Sequence, residues 1–206
     1  MEINHKDLIF EKEIPLNSSR SGSHVYTGKY KDEDVAIKVY DGKSQKALKY
    51  KFYGIHNIGL IEYENLLRVR ENCGEIGDKL QEPIGMSITP EGIYCLITKL
   101  ITNSDKSLSS PLKNLNGRMN DKFIKELRFI LYFMASKEIY HMDINNGDNI
   151  LVNINSEINP IIIDFQSIND IYYPWLKITK HFGESVEKRY FRRVNRLIKS
   201  LEGKLD

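Results

Sequence analysis

The hydrophobic and polar positions of the first half of the chain follow a strand period, interrupted by one helical segment. Residues 24–40 contain two runs of β-branched and aromatic residues on either side of the polar segment 31–34, which predicts a β-hairpin. Residues 57–72 carry apolar side chains at a helical spacing, and residues 92–101 form an apolar run typical of a strand. The first half is therefore predicted to be rich in β-structure.

The pattern changes in the second half, where a helix precedes two short strands. Residues 121–138 are strongly apolar with a helical period, and Asn120 or Asp121 can cap this helix at its N-terminus. Short apolar runs at 150–153 and 160–163 then predict two strands.

A last helix and a polar connection complete the predicted order of elements. The helix is predicted to begin near residues 184–185 and to stop at Gly203. Its apolar stripe consists of Val186, Tyr190, Val194, Leu197 and Leu201. The Ser- and Asn-rich segment at about 102–120 is predicted to be a surface connection. Together these elements predict an α+β fold in a single domain, with a β-rich N-lobe at about 8–101 and a reduced helical C-lobe at about 102–206.

The composition is that of an ordinary globular protein. Hydrophobic residues make up 41% and charged residues 28%, and 30 Lys and Arg nearly balance 28 Asp and Glu. This balance argues against nucleic acid as the main partner, and no apolar run approaches the ~20 residues that span a bilayer. Cys73 and Cys95 are too few for a disulfide framework and are predicted to be buried, inert thiols. With no secretory signal visible, we expect a monomer that works in a cytosol.

Three short motifs contain the residue types that phosphoryl transfer requires. That reaction needs a cation against the phosphates, carboxylates that hold magnesium, and a carboxylate that faces the acceptor hydroxyl. The motifs are the strand VAIK, which ends at Lys38, the loop His-Met-Asp, which ends at Asp143, and an apolar strand that ends at Asp164. Each has an ordinary alternative when taken alone: a solvated lysine, a polar loop after a helix, or a strand that happens to end in a carboxylate. In this order, with the two aspartates 21 residues apart and a short β-pair between them, they predict one site.

With these motifs the chain resembles the eukaryotic-like protein kinase family over roughly residues 14–170. VAIK lies at 35–38, the HxD loop at 141–143 and a DFG-like Asp-Phe-Gln at 164–166. Only 40 residues follow Gln166, so the activation segment, the APE motif and the large helical C-lobe of the family are not expected.

In its small size the chain is similar to the kinases that bacteria inject into host cells by type III secretion. These are of the OspG and NleH type, or are the small Hop-type kinases that phosphorylate heat-shock protein 90. The resemblance implies a Ser/Thr protein kinase that uses ATP and Mg²⁺. It also implies a virulence effector that is secreted into host cytoplasm and acts on a host protein, with the heat-shock protein 90 chaperone or the ubiquitin-conjugating machinery as candidate partners.

The resemblance implies a role for each motif residue. Asp143 would orient the acceptor hydroxyl and accept its proton, and Asp164 would bind magnesium. Lys38 would contact the phosphates and pair with a glutamate of the helix at 57–72. Glu62 is preferred for this pairing, because apolar residues four and seven positions later would face the core with it, and Glu64 is the reserve.

The nucleotide would be bound mainly by the first half of the chain. Thr98 would be the gatekeeper, and the backbone groups of Lys99 and Ile101 would meet the adenine. Val25 and Ala36 would cover the adenine from above, with Leu151 below it. The loop that covers the phosphates would contain Ser18, Arg20, Gly22 and Ser23.

Three positions depart from the family pattern. The phosphate loop keeps only Gly22 of the usual three glycines, which predicts a weaker grip on the nucleotide. Asn149 follows Asp143 by six residues, one more than usual. Either the loop bulges and Asn149 binds the second magnesium, which we favour, or Asp148 takes that position. Met142 replaces the loop arginine that pairs with a phosphorylated activation segment, which predicts activity without such phosphorylation.

Two other functions remain open from the sequence. A pseudokinase could bind ubiquitin-conjugating or chaperone machinery without catalysis, and the poor glycine loop favours this alternative. A small-molecule phosphotransferase also uses an HxD loop, but it needs an extended helical region after Asp164, where only 42 residues follow. The basic residues of the last helix would form a solvated face or a docking surface; they are Lys188, Arg189, Arg192, Arg193, Arg196 and Lys199.

Overall fold

The protein is an α+β protein, as predicted, in which antiparallel sheets are combined with helices. The computed structural model describes residues 1–15, 23–40, 57–115, 119–144, 147–168 and 184–203. The chain divides into two compact units. The first consists of Met1–Leu67 and Glu82–Leu100, and the second of Arg68–Gln81 and Ile101–Asp206. Residues 68–81, which the sequence analysis assigned to the N-lobe, thus belong to the second unit.

The first unit contains a five-stranded antiparallel sheet with the strand order β1-β2-β3-β5-β4. The strands are β1 Leu8–Ile14, β2 Ser23–Tyr30, β3 Glu33–Tyr40, β4 Pro83–Ile88 and β5 Tyr94–Lys99. The predicted hairpin is formed by β2 and β3. Its turn consists of Lys31 and Asp32 alone, whose φ angles of 48° and 66° match the two-residue turns that suit twisted strands. Glu33 and Asp34, predicted to lie in the turn, already pair in β3.

The two faces of this sheet have different neighbours, because successive side chains of a strand point to opposite faces. One face belongs to a hydrophobic core that consists of Ile3, Leu8, Tyr30, Val35, Ile37, Cys95 and Ile97. On the other face, Lys38 lies opposite Val25 and Leu96, and Ala36 lies opposite Thr98. Lys38, Val25, Ala36 and Thr98, four of the predicted nucleotide-binding residues, therefore share one face.

Helix α1 spans Ile58–Asn72 and begins where the Asn57 side chain accepts a hydrogen bond from the amide of Leu60. Glu62, Leu66 and Val69 are all fully buried. Residues four and seven positions apart lie on one face of a helix, so the predicted face of α1 is confirmed.

The second unit contains two longer helices that pack on each other. Helix α2 spans Asp121–Ser136, and its N-cap is Asn120, which accepts a hydrogen bond from the amide of Phe123 at 2.7 Å. Helix α3 spans Val186–Glu202, with Ser185 as N-cap and Gly203 as C-cap. The buried residues of α3 are Tyr190, Val194, Leu197, Ile198 and Leu201. The predicted stripe is thus confirmed apart from Val186, which is half-buried.

A three-stranded antiparallel sheet completes the second unit, with the order β6-β7-β8. The strands are β6 Ser110–Pro111, β7 Ile150–Ile154 and β8 Ile158–Ile162. The prediction of a surface connection over 102–120 was wrong at β6, which pairs with β7, and at the following 3-10 helix Leu112–Asn114, whose Leu112 is buried. Pairing with a partner strand and burial of one leucine give this polar segment its structure.

Both cysteines are buried and free, as predicted. Burial raises the pKa of the Cys73 thiol and of the Cys95 thiol to about 11. Both thiols are therefore protonated at neutral pH and unreactive. Within the described part of the chain, no helix is both long enough and apolar enough to cross a membrane.

Replacement of a buried leucine in α2 tests the importance of the α2–α3 core. Leu127 is fully buried, so Leu127→Ala should lower the free energy of unfolding by about 3 kcal/mol through lost apolar burial and the resulting cavity. Urea denaturation followed by circular dichroism measures the loss. Leu67→Ala is the matched control, because Leu67 is exposed on α1, and it should cost about 0.5 kcal/mol. Equal losses in the two variants would contradict this description of the core.

Candidate active site

Lys38 and Glu62 form a buried ion pair in the first unit. The Lys38 Nζ atom lies 2.7 Å from Glu62 Oε2 and 3.0 Å from Oε1, and the two side chains are only 14% and 1% exposed. Strand β3 directs Lys38 to this face of the sheet, and α1 supplies Glu62. Two such buried side chains stay charged when they neutralise each other and when hydrogen bonds satisfy their remaining donors and acceptors. The predicted choice of Glu62 agrees with this geometry, because Glu64 is exposed.

Tyr40 is a third member of this group, which the sequence analysis missed. Its hydroxyl donates a hydrogen bond to Glu62 Oε2 at 2.7 Å, and its ring centroid lies 5.4 Å from Lys38 Nζ. A signal was available, since Tyr40 follows Lys38 by two positions in a strand and must share its face. We refer to Lys38, Tyr40 and Glu62 as the Lys38 cluster.

The predicted adenine-binding residues of the sheet surround Lys38. Val25 and Ala36 are half-buried on the same face, and Thr98 is buried opposite Ala36. Lys99 has an exposed side chain, and its amide donates to the carbonyl of Glu82 at 2.9 Å. That amide is therefore used within the sheet and would not bind a base.

The other predicted nucleotide-binding residues lie at the start of β2, outside the described residues, or in the second unit. Ser23 begins β2 and is half-buried opposite Tyr40, whereas Ser18, Arg20 and Gly22 lie outside the described residues. In the second unit, Ile101 is half-buried, and its carbonyl accepts a hydrogen bond from the amide of Ser109 at 3.1 Å. Leu151, also of the second unit, is half-buried on β7 opposite Ile161.

In the second unit the β7–β8 hairpin holds Asn149 and Asp164 at one end. Asn149 immediately precedes β7, and Asp164 follows β8 by two residues. Because the strands are antiparallel, these residues are brought close together, and the amide of Ile163 donates to the carbonyl of Asn149 at 3.0 Å.

The HxD loop is attached to the same end of the hairpin. The Asn149 side-chain amide donates to the carbonyl of Asp143 at 3.1 Å. His141 Nε2 lies 3.0 Å from the carbonyl oxygen of Ile163, and the His141 and Phe165 rings pack with centroids 5.3 Å apart. The structure thus brings together Asp143, Asn149 and Asp164, which we call the Asp143 cluster.

The contacts of Asn149 and Asp148 differ. Asp148 forms an ion pair with Lys113, whereas the Asn149 side-chain nitrogen donates to the backbone carbonyl of Asp143, so the Asn149 side-chain oxygen could serve as a metal ligand. Gly147, in the loop between Asp143 and Asn149, has a φ angle of 69°, a conformation that glycine adopts without strain. The extra residue of this loop is therefore compatible with Asn149 as the ligand.

Asp164 has an unusual backbone conformation for a residue with a side chain. Its φ angle is 59°, in the left-handed region, and its amide donates to Gln81 Oε1 at 3.1 Å. Such strain persists only where surrounding contacts enforce it, and it is concentrated at functional sites. Gln81 is in turn fixed by Arg70, which donates to the carbonyls of Gly77, Leu80 and Gln81. Gln81 is not predicted by the sequence, because it lies 83 residues from Asp164 and belongs to no motif.

Asp143 is exposed. Its Oδ2 atom accepts a hydrogen bond from the Ser167 hydroxyl at 3.0 Å. Met142 is buried, its amide donates to the carbonyl of Ser167 at 2.8 Å, and Arg193 of α3 donates to the carbonyl of Met142. One residue of the basic helix therefore supports the HxD loop instead of facing a partner.

The Asp143 cluster contains side-chain oxygen atoms of the kind that can bind Mg²⁺. Among the described residues, no three His, Cys, Asp or Glu side chains form a metal-binding group. Mg²⁺ in phosphoryl-transfer sites is typically bound by one or two protein carboxylates together with phosphate oxygens and water. The half-buried Asp164 carboxylate and the Asn149 amide oxygen are ligands of this kind.

Comparison with known proteins adds no family to these observations. No protein-family model matches the chain, and no curated protein matches it. Its function must therefore be inferred from the chemistry of the Lys38 cluster and the Asp143 cluster.

Proposed function

We propose that this protein is an ATP-dependent protein kinase of a minimal, eukaryotic-like type. The observation that carries the proposal is the buried Lys38–Glu62 pair, with Nζ–O distances of 2.7 and 3.0 Å. A strand lysine paired with a helix glutamate is the arrangement that kinases use to hold an amine against the α- and β-phosphates of ATP. An ordinary surface lysine would not be held in this way.

The Asp143 cluster supports the proposal with the remaining groups that the reaction needs. Asn149 and Asp164 would hold magnesium, which when bound neutralises charge on the phosphates. The exposed Asp143 carboxylate would accept the proton of the acceptor hydroxyl as its oxygen bonds to the γ-phosphorus. The bond between this phosphorus and the β–γ bridging oxygen breaks, and ADP leaves.

We further propose that the acceptor is a serine or threonine hydroxyl of a protein. The resemblance to injected bacterial kinases extends this to a host protein, such as heat-shock protein 90 or ubiquitin-conjugating machinery, in host cytoplasm. Activity without activation-segment phosphorylation is supported by the buried Met142, whose backbone is bonded to Ser167 and Arg193. These bonds support the loop without a phosphate.

Nucleotide binding and phosphate transfer together test the proposal. The protein is incubated with γ-labelled ATP, Mg²⁺ and a eukaryotic lysate, and its melting temperature is measured with and without Mg-ATP. We expect a higher melting temperature with nucleotide, because a ligand that binds the folded state stabilises it, and we expect labelled acceptor proteins. Nucleotide binding without labelling would favour a binding module. The absence of both nucleotide binding and labelling would contradict the proposal.

The assignment of the second magnesium ligand gives a separate prediction. Asn149→Ala should weaken binding of a non-hydrolysable Mg-ATP analogue by at least about tenfold, since metal-site partners commonly have effects of this size. Asp148→Asn is the matched control. It removes only the partly exposed pair with Lys113 and should leave the affinity unchanged. Isothermal titration calorimetry measures both affinities, and the reverse pattern would assign the ligand to Asp148.

A further inference from the structure

We propose that Tyr40 is a positioning residue, which fixes the Glu62 carboxylate so that Lys38 is held in place when a nucleotide binds. This inference depends on the proposed function, because it assigns Lys38 to phosphate binding. It adds a residue that the sequence motifs do not include.

The Glu62 carboxylate is held by donors from two directions. Lys38 Nζ contacts both oxygens, at 3.0 Å and 2.7 Å, and the Tyr40 hydroxyl donates to Oε2 at 2.7 Å. Glu62 is fully buried. A buried carboxylate that lost its donors would be strongly destabilised, so each of these bonds constrains the position of the glutamate.

A nucleotide changes the balance of these contacts. The lysine ammonium group has three N–H donors, and a phosphate oxygen would compete with Glu62 for them. When Lys38 turns towards phosphate, Glu62 loses part of its compensation. The Tyr40 hydroxyl keeps the carboxylate hydrogen-bonded and oriented at that moment. Lys38 can then bind phosphate while it remains paired with Glu62.

The position of the Tyr40 ring is itself fixed by packing. Tyr40 is 9% exposed and belongs to a hydrophobic cluster with Met86 and Leu96. Its ring lies against α1 at Gly59, where an added Cβ atom would be only 2.9 Å from ring atoms Cδ2 and Cε2. Gly59 precedes Glu62 by one helical turn. The absence of a side chain at Gly59 leaves room for the Tyr40 ring, whose hydroxyl donates to Glu62.

The substitution Tyr40→Phe removes the hydroxyl and keeps the ring. We expect the dissociation constant for a non-hydrolysable Mg-ATP analogue to rise about fivefold to tenfold, in the range of a lost hydrogen bond to a charged group. Tyr30→Phe is the matched control. Tyr30 is a buried tyrosine of the same sheet, but it packs in the hydrophobic core with Val35 and Ile37 on the opposite face. The dissociation constant of the Tyr30→Phe variant for the analogue should therefore stay at the wild-type value.

A double-variant cycle separates positioning from a purely structural role. If Tyr40 acts through Glu62, Tyr40→Phe should change the affinity less than about twofold in a Glu62→Gln background, because coupled residues are not additive. Gly59→Ala gives an independent test, since it should displace the ring and also weaken nucleotide binding. Circular dichroism verifies that α-helical content is retained in every variant.

The outcomes separate failure of this inference from failure of the proposed function. An unchanged affinity in Tyr40→Phe, with normal binding by the wild type, would overturn the role of Tyr40 alone. An equal loss in the wild-type and Glu62→Gln backgrounds would do the same. Absence of nucleotide binding by the wild type would overturn the kinase proposal, and this inference with it.

Discussion

Asp143→Asn is expected to reduce the rate of phosphate transfer by about 10³-fold, the size of effect associated with loss of a general base. Asparagine has the shape of aspartate but cannot accept the acceptor proton. Its side-chain oxygen can still accept the Ser167 hydroxyl, which lies 3.0 Å from Asp143 Oδ2. Affinity for Mg-ATP and thermal stability should therefore stay near the wild-type values. Initial rates of labelling with saturating Mg-ATP, together with calorimetric titration, measure the two effects.

The chain offers a matched control for this substitution. Asp105 is also exposed in the second unit and accepts a hydrogen bond from a serine, Ser107, at 2.6 Å. Asp105→Asn changes the charge in the same way at a similar contact and should leave the rate unchanged. If Asp143→Asn retains the activity of the wild type, Asp143 is not the base. If Asp105→Asn lowers the rate of phosphate transfer as much as Asp143→Asn does, the effect is not specific to the Asp143 cluster.

The second large effect is expected at Lys38. Lys38→Met should abolish phosphate transfer and also lower the free energy of unfolding by about 3 kcal/mol, because Glu62 would remain as a buried charge without its cation. The double variant Lys38→Met/Glu62→Gln removes that charge and should recover most of the lost stability. It should not recover activity, because the cation for the phosphates is still missing.

Urea denaturation and the labelling assay measure these two properties separately. Lys29→Met is the matched control, since Lys29 pairs with Asp34 at 2.8 Å in the same sheet but both side chains are well exposed. An exposed pair of this kind contributes about 0–1 kcal/mol, and its loss should not affect activity. A double variant as unstable as Lys38→Met would show that the buried charge is not the cause. Recovery of activity in the double variant would exclude Lys38 from catalysis.

The Lys38–Glu62 pair shows how far the sequence alone could lead. The strand period placed Lys38 in β3, and the helical period of α1 placed Glu62 on the face of Leu66 and Val69. Both periods are local properties of the chain, and all three helical residues are fully buried. The preference for Glu62 over Glu64 follows from this spacing alone.

The convergence of Asp143, Asn149 and Asp164 was also predictable, because a short β-pair connects the motifs. A hairpin returns the chain to its starting point, so residues on either side of β7 and β8 must lie near each other. The spacing of the sequence does not by itself decide between Asn149 and Asp148. It depends on side-chain contacts, and the bond from Asn149 to the carbonyl of Asp143 favours Asn149.

Other parts of the fold and site could not be read from local patterns. Strand β6 has two residues, Ser110 and Pro111, and exists only because β7 pairs with it. The contact from Arg193 to Met142 joins residues 51 positions apart, and that from Gln81 to Asp164 joins residues 83 positions apart. No periodicity or motif connects such residues.

The sequence by itself determined the α+β class, the hairpin of β2 and β3, the three helices described and the residue types of the candidate chemistry. These follow from side-chain periodicity, capping and motif spacing, which act over a few residues. Only the tertiary structure decided that Tyr40 holds Glu62 and that Gln81 supports the left-handed backbone of Asp164, whose φ angle is 59°. Such bonds form between groups that packing brings together and buries, and burial makes each polar group require a partner.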